Sequence, residues 1–191
     1  MARQEKSLKS VMQMEKMQLN KNTKLWGAGG FRENRYVRSN CLENVDSNWV
    51  ILPLTRWLQI VEKIDGEILR KTGIFAEAGE DIKPLLPFLD VVSVIALNFP
   101  KFSDGRSYST AMQLKQTYCY RGELRAVGDV LIDQVSNMLR CGFDTLEVKH
   151  QLTQIRLKEY SKEIFPGFYQ PGARLIRTSS QNRIWRSTAV R

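Results

Sequence analysis

From residue 48 onward the chain alternates short apolar runs with stripes of helical period, and this rhythm limits the fold more than any other feature. Residues 91–99 (VVSVIALNF) are the clearest run, β-branched and continuously apolar, as a strand covered on both faces requires. Residues 48–53 (NWVILP) and 73–78 (GIFAEA) precede it, and residues 123–127 and 143–148 (FDTLEV) follow it. Helices are predicted over 55–64, 81–89, 107–118, 129–140 and 151–165. The first repeats Trp57, Leu58, Val61 and Ile64 at helical spacing. Thr55 and Asp129 read as helix N-caps, and Gly142 as a left-handed closure. Five strand–helix units with short connections predict an α/β fold with a mostly parallel sheet of about five strands. A partial barrel is the alternative arrangement, because 191 residues fall short of a full eight-fold barrel.

Upstream, residues 25–38 (LWGAGGFRENRYVR) suggest a short ribbon appended to this domain. Gly27, Gly29 and Gly30 do not form a G-x-G-x-x-G, and no strand-to-helix switch surrounds them, so a dinucleotide loop is set aside. The net charge of +9 is unevenly placed. Residues 1–24 carry six basic groups against Glu5 and Glu15, and residues 174–191 carry five arginines and no acid. Residues 25–173 are neutral, with 18 basic and 18 acidic side chains. The expected organisation is a basic flexible tail at 1–24, a single α/β domain at 25–171 and a second basic flexible tail at 172–191. Such tails can graze nucleic acid, a membrane surface or an acidic protein, although solvated ends are the commoner outcome.

Composition removes several classes of chemistry. Cys41, Cys119 and Cys141 are odd in number and widely spaced, which argues against a disulfide framework or a cysteine zinc site. A reducing cytoplasm is therefore the expected compartment. With one histidine, His150, a multi-histidine metal centre is excluded. No apolar run approaches a membrane span, and the N-terminal residues lack the apolar core of a signal peptide.

In either α/β arrangement ligands bind at the carboxyl ends of the parallel strands. Two consecutive segments there are rich in chemistry: residues 98–107 (NFPKFSDGRS) and residues 127–134 (VGDVLIDQ). Lys101, Asp104, Gly105, Arg106 and Ser107 in the first, with Gly128 and Asp129 in the second, form the candidate oxyanion site. The helix start near Ser107 and the cations Lys101 and Arg106 suit sulfite, sulfate or phosphate. Each residue also has a plainer role. Asp104-Gly105 is a common turn dipeptide, Arg106 can pair with Asp104 or Asp129, and Asp129 can serve as a cap. Arg125 lies inside a strand, where a buried ion pair competes with ligand binding. Cys119 and Cys141 read as packing residues, and His150 as a general base or as incidental.

The motifs LNFPKFSDGRSYS, YRGELRAVGDVLIDQ and MLRCGFDTLEV, with GGFRENRYV and NWVILPLTRWL upstream, resemble an uncharacterised bacterial family described as an oxidoreductase of sulfite reduction. The resemblance covers roughly residues 25–171. Its pattern includes the Asp-Gly-Arg turn at Asp104, Gly105 and Arg106 with Tyr108 after it, the segment Gly122 to Ala126, and Arg140, Gly142, Phe143 and Asp144. Cys119 stands where similar sequences often have glycine. The resemblance implies a place in assimilatory sulfite reduction, because such proteins tend to be encoded beside sulfite reductase, and it carries over no catalytic residue. Three functions follow in rank order. The first is an accessory protein that binds an anionic sulfur species or docks on sulfite reductase. The second is an oxidoreductase component that borrows a partner's electrons, since the chain has no flavin, nicotinamide, haem or iron–sulfur signature and no cofactor is assigned to it. The third is a basic-tailed, non-enzymatic regulator contacting nucleic acid or an acidic partner, with nucleic acid the least favoured partner.

Overall fold

The computed structural model describes residues 23–40 and 49–160. Eight strands form one sheet: β1 (Lys24–Gly27), β2 (Gly30–Arg32), β3 (Tyr36–Arg38), β4 (Trp49–Pro53), β5 (Thr72–Ala76), β6 (Val94–Phe99), β7 (Glu123–Gly128) and β8 (Thr145–Val148). The order is β2-β1-β8-β7-β6-β5-β4-β3. From β3 to β8 every strand lies parallel beside its successor in sequence, while β1 is antiparallel to β8 and β2 to β1. The helices are α1 (Leu54–Ile60), α2 (Gly66–Arg70), α3 (Arg106–Met112), α4 (Val135–Cys141) and α5 (Gln151–Tyr160). A π turn (Gln113–Thr117) extends α3, and 3-10 turns occupy Lys83–Phe88 and Ile132–Gln134.

A strand order that never reverses is that of a barrel wall, and the sheet curls accordingly. The Arg38 guanidinium on β3 reaches the Glu147 carboxylate on β8 at 2.9 Å. Five strand-to-strand steps separate those elements, so a flat sheet would hold their backbones about 24 Å apart. The sheet is a half-barrel.

Its two faces pack differently. Leu52, Ile74, Ile95, Leu97, Leu124, Ala126 and Leu146 join Trp57, Leu85, Ala111, Met138 and Leu157 from the helices and turns in one large core. Alternate strand residues point the other way, and Ile51, Val94, Ala96 and Val127 form a smaller cluster with Tyr36 and Phe75 that contains no helical residue. Residues Val92, Val94 and Ile95 are buried, as their apolar run requires, and β6 sits inside the sheet between β5 and β7.

The five predicted strands correspond to β4–β8, but the count of about five is too low. The ribbon at 25–38 is not an appendage. Its hairpin β1–β2 extends the sheet beyond β8, and three-residue β3 pairs with β4 on the far edge. Helix starts also differ. Pro53 precedes α1 with no side-chain cap, so Thr55 lies inside the helix. The segment predicted as a helix from residue 129 becomes helical only at Ile132, so Asp129 is not an N-cap. The predicted helix at 81–89 is a 3-10 turn, since Pro87 removes a backbone donor. Gly142 closes α4 at φ 100°, as expected. The proposed tails lie outside the described residues apart from Thr23 and Lys24, as does the segment 161–171. No helix among the described residues is long and apolar enough to cross a membrane.

Candidate functional site at the strand carboxyl ends

The loops after β6, β7 and β8 meet at one carboxylate. The Asp129 amide donates to the Phe99 carbonyl at 2.7 Å, tying the end of β7 to the end of β6. The Phe102 amide donates to Asp129 Oδ2 at 2.9 Å, and His150 Nε2 pairs with Asp129 Oδ1 at 2.9 Å. Gln134 Nε2 completes the stitching by donating to the Phe102 carbonyl at 3.0 Å. Gly128 makes this approach possible: at φ 102°, a Cβ there would collide with the Phe99 carbonyl and the Asn98 side chain. On the β5 side, Asn98 Nδ2 donates to Glu77 Oε2 at 2.6 Å. Glu77, Asn98, Asp129 and His150 thus form a polar arc over the ends of four successive parallel strands, where barrel-type folds carry their chemistry.

The residues expected to bind an oxyanion lie on the first two of these loops. Arg106 forms a fork with Asp104, Nε to Oδ1 at 3.0 Å and Nη2 to Oδ2 at 2.7 Å, and its side chain is 63% exposed. The Arg106 side-chain bonds, with its amide N–H, hold the Asp104 carboxyl below the usual range. Between the two alternatives, Arg106 pairs with Asp104, and Asp129 pairs with His150. Gly105 occupies the cap position of α3 without a side-chain bond, and Lys101 is exposed in the preceding turn. Ser107 is buried, and its hydroxyl donates to the Asn98 carbonyl, so it braces the loop. Three large apolar side chains are exposed on these same segments: Phe102, Ile132 and, at 79%, Leu152.

Arg125 belongs to a different region. It is 1% exposed on the helix-free face, donating to Glu123 at 2.8 and 3.0 Å and to Asn34 at 2.8 Å, beneath the Tyr36 ring. Thr145 bonds the same Glu123 oxygen. Burial, and then the Glu123 charge, push the Tyr36 phenol up to about 12. Arg125 is therefore a structural residue that ties β3 across the interior to β7. Burial raises the Cys141 thiol, which makes it inert. Cys119 sits at φ 54°, in the left-handed region that glycine enters without penalty. Among the described residues, no group of three or more His, Cys, Asp or Glu is placed to hold a metal ion.

Sequence reasoning left Glu77 and Asn98 out of the site and gave His150 no partner. The available signal was positional: each is a polar residue at or just beyond the end of an apolar run.

The model of one family, described as "Bacterial protein of unknown function (DUF934)", matches residues 73–178. The chain belongs to this bacterial family. The matched stretch runs from β5 through α5, so the whole arc from Glu77 to His150 lies within it. No curated protein and no solved structure matches the chain significantly.

Proposed function

We propose that this protein is an accessory component of assimilatory sulfite reduction that holds an anionic sulfur species at the half-barrel mouth or docks on sulfite reductase. One observation carries the reading: Asp129 gathers three strand-end loops into a single mouth. Lys101 and Arg106 stand on the first of those loops. The pairs Arg106–Asp104 and His150–Asp129 bear on the main objection, the two carboxylates. Asp104 is held by the Arg106 guanidinium and Asp129 is paired with the His150 ring, so both carboxylates already have partners on this chain. Exposed Phe102, Ile132 and Leu152 on the same segments supply apolar area for protein docking. The sulfite assignment itself comes from the motif resemblance at residues 97–148.

Two measurements on the full chain test this reading. Titration calorimetry with sulfite, sulfate and phosphate is expected to give a saturable isotherm that Arg106→Ala abolishes. Pull-down with sulfite reductase is expected to recover a complex weakened by Phe102→Ser and Leu152→Ser. If neither an isotherm nor a complex is seen, the reading fails. An isotherm together with sulfite consumption that appears only when an electron-donating partner is added would favour the oxidoreductase alternative.

A further inference from the structure

We infer that His150 is a ligand-contacting residue of the mouth, and that an oxyanion binds there together with a proton taken up by its ring. The inference rests on the oxyanion reading and specifies how that site is charged. Asp129 has both oxygens committed, Oδ2 to the Phe102 amide and Oδ1 to the ring, so the carboxylate is fixed and aims the imidazole. A carboxylate facing Nε2 selects the tautomer with the proton on that nitrogen, which leaves Nδ1 as the lone-pair nitrogen. The His150 side chain is 51% exposed, so the second nitrogen has room to meet a ligand.

Electrostatics then give the coupling. With a neutral ring, Asp129 presents an uncompensated negative charge at the mouth and repels anions. With a protonated ring the pair is neutral, and Nδ1–H becomes a charge-assisted donor. Charged groups on the surrounding elements include Glu77, Glu80, Asp81 and Lys83 after β5, Lys101 and the Arg106–Asp104 pair after β6, Asp133 after β7, Lys149 beside the histidine, and Arg156, Lys158 and Glu159 further along α5. Lys101 and Lys149 are cations and favour the anion. Glu77, Glu80 and Asp133 oppose it, and imidazole is the side-chain type among these that can gain a proton as an anion approaches. The step moves one proton from solvent to Nδ1 as the anion docks. An N–H bond forms, and no electron is transferred.

The chain's single histidine makes the test direct. Sulfate is the probe, because its charge is constant across the imidazole range. The unmodified full-length protein is titrated by calorimetry at mildly alkaline pH in two buffers of different ionisation heat, and in parallel by proton NMR of the imidazole C–H signals. The expected result is uptake of about one proton per sulfate, with histidine signals that move in step with the isotherm. His150→Gln should bind about tenfold more weakly and take up no proton. Asp129→Asn should lose most of the pH dependence while still binding. An isotherm with stationary histidine signals, or a His150→Gln protein with unchanged proton uptake, overturns the inference and leaves the oxyanion reading standing. No isotherm with sulfate, sulfite or phosphate overturns both.

Discussion

Two arginines have the same local partner and opposite surroundings. Arg125 pairs with Glu123 and Arg106 with Asp104, in each case a carboxylate two residues earlier in the chain. In β7 that spacing puts both groups on one face of the strand, turned into the half-barrel. At the start of α3 it bridges a turn open to water. Arg125 is 1% exposed and also binds Asn34, which lies 91 residues away. Arg106 keeps most of its side chain in solvent. The local pair is therefore not what decides the role. The role follows from what the other strands bring: β3 and β8 close over Arg125, whereas the loops after β6 and β7 leave Arg106 at a rim.

The largest test of this contrast is Arg125→Ala. Removing the buried guanidinium leaves Glu123 without its cation and Asn34 without its donor, and a loss of about 3 kcal/mol is expected in urea denaturation, the low end for a buried pair because Glu123 keeps a quarter of its side chain in solvent. Arg125→Met fills the space without the charge. It should cost less if Glu123 turns toward solvent, for which its quarter-exposed side chain has scope. A loss below 1 kcal/mol for Arg125→Ala would mean that β3 does not depend on this link to stay in place. Next in size is Gly128→Ala, at the seam between the regions. Its positive φ and the collision with the Phe99 carbonyl predict a loss of about 1–3 kcal/mol, with anion binding reduced as the β6 and β7 ends are forced apart.

This contrast also explains which parts were legible in the sequence. Runs such as 91–99 announce themselves because burial on both faces demands consecutive apolar residues, so β4–β8 were readable. Three-residue β3 carries no period, and α2, at five residues, is too short to show one. The curl shows in Arg38 meeting Glu147 across 109 positions, which no local window contains. The same limit applies to the site. The loop containing Arg106 was visible as a dense polar segment. The partner of Asp129 was not, because His150 reaches it only after the chain has formed α4 and β8. Capping was the natural local role for Asp129, and the actual helix start three residues later removes it.

On the exposed side, Arg106→Ala is expected to leave the unfolding midpoint unchanged while the sulfate isotherm disappears. A shift in the midpoint comparable to that of Arg125→Ala would erase the distinction between the two arginines. Such an exposed pair gives little to stability, because water and salt screen it. The bonds from Arg106 do hold the Asp104 carboxyl below the usual range.

The smallest expected effect returns to the buried side and concerns the ring above Arg125. The Tyr36 phenol is raised from an ordinary value near 10 to about 12 in the folded protein, by burial first and then by the Glu123 charge. A raised folded value means that the neutral form is favoured by folding. Its contribution to stability is complete below pH of about 10 and is lost as pH climbs toward 12. Tyr108 and Tyr120, both raised chiefly by burial, act in the same direction, and the Tyr120 hydroxyl also donates to the Val92 carbonyl at 3.0 Å. Alkaline destabilisation should therefore be steep in that window, and Tyr36→Phe should make it shallower without removing it. Denaturation midpoints of the two proteins across the window decide the matter. Parallel curves would place the Tyr36 hydroxyl in solvent and open the lid over Arg125. Converging curves would confirm that the half-barrel interior excludes the phenolate as firmly as it holds the arginine.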